Sequence, residues 1–156
     1  MSSNLRPLVL PADEGTKIEG PVGGPLTFKL RGEESNQALT VFENTVAPGE
    51  GPPLHTHANE DEAWYVLEGR LRFQIREAVH SAEAGSFAFL PRGVPHCFHN
   101  HGTGPAKMLV IFTPSGMERF FACLAELTDE TIGPEAFQAA GSEVGMTIVG
   151  PPLRGD

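Results

Sequence analysis

The sequence predicts an all-β domain, a sandwich or closed barrel, finished by a short helical segment. Three observations carry this. From Leu26 to Pro114, apolar runs of four to eight residues alternate with Gly, Pro and Asn clusters, as in a chain of short strands joined by turns. The 156 residues include 18 glycines and 14 prolines with no Gly-X-Y period, about a fifth of the chain where about 12% is usual. After Pro114 the apolar spacing changes from two to three and four.

In chain order, residues 1–25 read as an N-terminal arm, with a candidate strand at 8–10 and a loop at 20–25. Residues 26–114 form the barrel. Its cleanest strand is 71–76, Leu-Arg-Phe-Gln-Ile-Arg, with strict period-two alternation. Strands are also expected at 40–47, 63–67, 86–90, 96–101 and 107–113. Gly69, between 66 and 71, fits a tight hairpin that needs unusual dihedrals. Residues 115–156 make the C-terminal helices and tail. Met117, Phe120, Phe121, Leu124 and Leu127 share one helical face. Ser115 and Glu118 have capping-box spacing. A second helix at 134–140 starts with Pro134 and stops at Gly141, and 144–149 is a last extended piece.

Hydrophobic residues make up 40% of the chain and charged residues 20%, enough for one packed core. The net charge of −9 disfavours nucleic acid and anionic lipid. No apolar stretch approaches the ~18 residues of a membrane span, and the first residues lack a signal-peptide pattern. Cys97 and Cys123 are too few for a disulfide scaffold. A cytoplasmic protein without nucleic-acid or membrane partners is expected.

The histidines are the most informative feature. His55 and His57 stand two apart in a strand-like context, so both imidazoles project from one face. Glu62 opens the returning strand, and His96 begins another behind Pro91-Arg92-Gly93-Val94-Pro95. A lone His-x-His is usually a surface feature, and 60–62 alone would be a solvated acidic turn. Three imidazoles and one carboxylate converging on an enclosed point instead make a site for one divalent transition metal: Fe, Ni, Co, Mn or Zn. His99, His101 and Cys97 have the opposite strand parity and point away. Glu60 is the one substitute carboxylate, and His80 reads as surface. Asn100 shares parity with His96 in a structural role.

The spacing Gly49-(x5)-His55-x-His57-(x4)-Glu62-(x6)-Gly69 resembles the first cupin motif at every fixed position. Gly85-(x5)-Pro91-x-Gly93-(x2)-His96-(x3)-Asn100 resembles the second. The resemblance implies a jelly-roll β-barrel with His55, His57, Glu62 and His96 as metal ligands inside, and a homodimer paired through sheet edges and terminal arms. Within the superfamily, residues 55–69 and the tail resemble small quercetin-dioxygenase-like proteins. That implies a metal-dependent dioxygenase acting on an aromatic or enolic small molecule with O₂, in which Glu62 both ligates and accepts a proton. A metal-dependent isomerase or lyase using the same site is the second reading. A non-enzymatic ligand-binding cupin is the third. Trp64, Val66 and Phe98 share the ligands' faces, with Phe42, Phe73, Phe87, Phe89, Met108, Val110 and Phe112 as further wall candidates. Arg92 is expected to face solvent.

Overall fold

Two antiparallel sheets pack face to face in the computed structural model, which describes residues 4–19, 24–127 and 133–154. The larger sheet has the order β1-β2-β3-β10-β5-β8. Its strands are β1 (Thr16–Glu19), β2 (Pro25–Leu30), β3 (Thr40–Val46), β10 (Ala106–Thr113), β5 (Asp61–Glu68) and β8 (Phe87–Leu90). The smaller has the order β11-β4-β9-β6-β7. It comprises β11 (Met146–Pro152), β4 (Pro53–His57), β9 (His96–His99), β6 (Arg70–Ile75) and β7 (Ala78–Glu83). The result is a jelly roll of cupin type with a short C-terminal helical segment.

Alternation fixes the register. In β3, Thr40, Phe42, Asn44 and Val46 all point inward. They lie opposite Phe112, Val110, Met108 and Ala106 of β10, and Phe112, Val110 and Met108 in turn pair with Glu62, Trp64 and Val66 of β5. A one-residue slip would turn this whole row to solvent. Trp64 carries the core across to the other sheet, its ring 4.8 Å from Phe73 and 5.4 Å from Phe98 between centroids.

Several expectations need correction. No strand forms at 8–10; the early strand is β1, paired with β2. His80 is exposed, as expected, but sits in β7 opposite Phe73 rather than near a turn. Gly69 does not close a hairpin. Residues before it belong to the larger sheet and those after it to the smaller, so Gly69, at φ 76°, is the corner between sheets. A Cβ there would come within 2.8 Å of the Pro105 carbonyl oxygen, which is why the corner takes glycine.

The first helix, α1 (Glu118–Ala125), starts later than Ser115, and its N-cap is Met117 with no side-chain cap. Ser115 Oγ instead bonds Gln37 Oε1 at 3.0 Å. Glu118 accepts from the Gly116 and Gly32 amides, both at 3.1 Å, and from the Thr40 hydroxyl. Burial pushes its carboxyl up, but these hydrogen bonds outweigh burial and hold it below its ordinary value. Glu118 thus ties the helix start to the β2–β3 connection. Met117, Phe120 and Leu124 are buried as the periodicity predicts, and Phe121 and Leu127 pack against them. The second helix, α2 (Pro134–Ser142), begins on Pro134 and runs through Gly141. A Cβ at Gly141 would lie 2.9 Å from Met146 Cε, so the missing side chain lets β11 close on the helix.

Candidate metal centre

Three strands from both sheets deliver the cluster. His55 and His57 come from β4, His96 from β9 directly opposite His55, and Glu62 from β5. All four are buried, and one ligand atom from each lies within 4.8 Å of all the others. The imidazole centroids are 4.6–5.3 Å apart. The i, i+2 parity on β4 brings both rings to one face, as the sequence predicts.

Backbone carbonyls orient two of the rings. His55 Nδ1 donates to Pro53 O at 2.7 Å and His96 Nδ1 to Val94 O at 2.8 Å. A ring whose Nδ1 carries the proton leaves Nε2 as a lone pair. Trp64 Nε1 donates to Glu62 Oε1 at 2.6 Å, fixing the carboxylate and leaving Oε2 to face the rings. Oε2 then sits 2.8 Å from His96 Nε2 and 3.2 Å from His57 Nε2. Neither ring nitrogen of His57 has a hydrogen-bond partner among the described residues.

These contacts bring lone pairs together. A neutral imidazole nitrogen and a carboxylate oxygen at 2.8 Å repel unless a proton or a cation lies between them. Among the side chains alone, a proton shared between His96 and Glu62 is the first solution, and a bound cation would displace it. Burial, reinforced by the neighbouring rings, pushes His55 down to about 3, so it is neutral at pH 7. Burial alone would raise Glu62, but the charge of His96, with a further contribution from His57, holds it well below the usual carboxylate range. Burial lowers His96 while Glu62 raises it, and the net shift is upward. An ionised carboxylate and carbonyl-oriented rings, with His96 giving up its Nε2 proton to the ion, are the donor set that a divalent metal needs. The residues fit the group.

The cluster opens on a cavity of about 80 Å³. Phe42, Val110 and Phe112 line it from the larger sheet, and Met117, Phe120, Phe121, Leu124 and Phe137 from the helices. The helices therefore cover one side of the site. Among the described residues, no Lys or Arg lines the cavity.

Other sequence candidates lie elsewhere. Phe87 and Phe89 point out of the barrel, 64% and 57% exposed, while Ala88 and Leu90 point inward; β8 has the opposite parity from the one its aromatics suggest. Phe73 and Met108 are buried in the core but do not line the cavity. Glu60 is buried outside the cluster, and burial raises its pKa. His99 and His101 contact each other through Nδ1 atoms 3.1 Å apart, with His99 Nε2 donating to Gly49 O. Arg92 is exposed and pairs with Asp61. Asn100 is structural: it donates to Val46 O and Gly104 O and accepts from Gly102 N. Sequence reasoning passed over Asn44, which lines the cavity; its signal was an amide at an inward position of an alternating strand.

Residues 42–112 match the cupin domain family. The chain is 31% identical over 85 residues to mannose-1-phosphate guanylyltransferase ManC of Salmonella typhimurium, covering 54% of this chain and 18% of that protein. It thus spans under a fifth of that relative. A sugar phosphate isomerase of the cupin superfamily from Silicibacter pomeroyi superposes with a TM-score of 0.60 at 25% identity, covering 68% of this chain and 75% of the other. A predicted oxalate decarboxylase from Thermotoga maritima gives 0.62 at 24% identity, over 69% and 99%, a likeness of fold. Among the described residues, no helix is long and apolar enough to cross a membrane. Motif spacing, strand order and these likenesses agree, and the barrel of this chain has the cupin-type jelly-roll fold.

Proposed function

We propose that the chain is a metal-dependent enzyme acting on a small, weakly charged molecule, with dioxygenation of an enediol or catechol as the leading reaction. One observation carries this: the His₃Glu cluster opens on an apolar cavity that no cationic side chain lines among the described residues. A phosphorylated or polyanionic substrate would want Lys or Arg at hand. The likeness to a sugar phosphate isomerase favours a second reading, a Lewis-acid isomerase or lyase on the same site. Cavity size further selects the substrate. At about 80 Å³ the cavity is roughly half the 150 Å³ that accommodates benzene in an engineered lysozyme cavity. A compact enediol fits better than a ring, and a flavonol enters only if the helices move.

His55, His57, Glu62 and His96 would hold the metal. When bound, it would supply Lewis acidity that acidifies a substrate hydroxyl and, if redox-active, a route for electrons to O₂. The chain's own part is to orient the rings through Pro53 and Val94, exclude water through the helices, and receive the proton. Trp64 fills one lone pair of Glu62 Oε1 and Oε2 faces the rings, so the proton would go to a carboxylate lone pair that neither the indole nor the ion uses. Glu62 is a weak base while its pKa is held low, and transfer becomes favourable only from an acidified hydroxyl.

The test is oxygen uptake by metal-free protein reconstituted anaerobically with Fe, Ni, Co or Mn and exposed to O₂ with enediols, catechols and a flavonol. Uptake is expected with a compact enediol or catechol. In Glu62→Gln, metal affinity should fall modestly and turnover at least 100-fold, within the range general-base catalysis contributes. No uptake with any metal and substrate would move the assignment to the isomerase or lyase. Full turnover in metal-loaded Glu62→Gln would remove Glu62 from the mechanism.

A further inference from the structure

Among the described residues, Asn44 is the polar side chain of the cavity that lies outside the metal cluster. It occupies an inward position of β3 between Phe42 and Val46, opposite Leu26 of β2 and Met108 of β10. It is 6% exposed, and its Oδ1 has no hydrogen-bond partner among the described residues. Leucine has nearly the same shape and would suit the apolar surroundings without stranding an oxygen. Buried oxygens in folded proteins find a donor in the great majority of cases. Among the described residues, the other polar side chains lining the cavity are His55, His57 and Glu62. The oxygen is enclosed as placed, and a half-turn of the amide presents it to a donor that enters the cavity.

Register places Asn44 away from the cluster. Glu62 pairs with Phe112, which pairs with Thr40. Asn44 lies four residues further along β3, about 13 Å of strand. Phe42, Val110 and Phe112 line the walls between. We infer that Asn44 is a substrate-positioning residue, accepting a hydrogen bond from a hydroxyl or N–H at the end of the substrate remote from the metal cluster. This rests on reading the cluster as a metal site. It narrows the substrate class to slender molecules with a metal-binding oxygen at one end, an apolar middle and a hydrogen-bond donor at the other.

The experiment uses cobalt-loaded protein and two series of carboxylates that differ only at the far end. 3-Hydroxypropanoate, 4-hydroxybutanoate and 5-hydroxypentanoate are compared with butanoate, pentanoate and hexanoate, which carry methyl in place of hydroxyl. Binding is read from the visible absorption of cobalt. At one chain length the hydroxy acid should bind the wild type at least 10-fold more tightly than its methyl partner. In Asn44→Leu that preference should reverse, with cobalt stoichiometry unchanged. The same hydroxyl-to-methyl ratio in both proteins would overturn the assignment. Metal analysis separates the two claims. If the wild type binds no cobalt, the metal reading fails, and melting of the metal-free proteins then decides the role of Asn44. Asn44→Leu melting above the wild type supports a site kept polar for a ligand; melting below it shows a structural amide and overturns the proposal.

Discussion

Replacing His55 and His57 together by alanine should abolish metal uptake and leave a folded barrel. The two side chains supply half of the four-donor cluster and both of its β4 ligands. The remaining pair, Glu62 and His96, would face each other with one imidazole and one carboxylate, too few donors to hold a transition metal against water. The barrel itself draws on a core that the double variant leaves intact, including Phe42, Trp64, Phe73, Val110 and Phe112. Removing two imidazoles also relieves the crowding of lone pairs around Glu62 Oε2. Equilibrium dialysis with Co, Ni, Fe and Mn, followed by metal analysis, checks the uptake, and circular dichroism checks the fold. Metal retained at full stoichiometry would show that other residues bind it. Complete unfolding would show that the ion is structural.

Phe120→Asp should be the most damaging single change outside the cluster. Phe120 is buried on α1, its ring 5.1 Å from Phe121 and 5.2 Å from Phe137 between centroids, and it lines the cavity. Deleting a buried phenylalanine side chain costs about 3–5 kcal/mol, and an unpaired carboxylate in an apolar site adds to that. At roughly 2–4 °C per kcal/mol for a chain of this size, the melting temperature should fall by about 10 °C or more. Phe120→Leu, which keeps the stripe apolar, should cost well under half as much. Hydrogen exchange locates the damage: α1 and α2 should lose protection before β3, β5 and β10. An unchanged melting temperature in Phe120→Asp would show that the helix face does not pack on the barrel in solution.

The cluster was legible because its information is local. Parity along β4 couples His55 to His57, and fixed spacings to glycine corners bring Glu62 and His96 to the same place. Strands with a buried face announced themselves through alternation, β3, β6 and β10 most clearly. β7 and β1 escaped notice because they are exposed. β7 buries only Ala82 of its six residues, so its sequence carries no two-residue period, and β1 is similarly polar. β8 was recognised but faced the wrong way, because its phenylalanines point to solvent while Ala88 and Leu90 fill the core. Gly69 showed a turn, yet its sequence does not say whether the strands on either side pair with each other or with different sheets. Glu118 looked like one half of a local cap and instead reaches Gly32 and Thr40, contacts distant in sequence that short-range spacing does not reveal.

The cluster's split origin affects how the purified protein melts. β5 belongs to one sheet, β4 and β9 to the other, so an ion held by all four side chains fastens the two sheets together. Any ion bound to the folded chain and not to the unfolded one adds RT ln(1 + [L]/Kd) to stability, about 4.1 kcal/mol at a thousandfold excess over Kd. Batches carrying different metals, or only partly filled, should therefore give broad or two-step calorimetric transitions that sharpen into a single peak after chelation or after saturation with one ion. Sample heterogeneity in this protein would then be compositional, set by the metals available during expression and purification, and a mixed melting curve would report the history of the preparation rather than a second folded state.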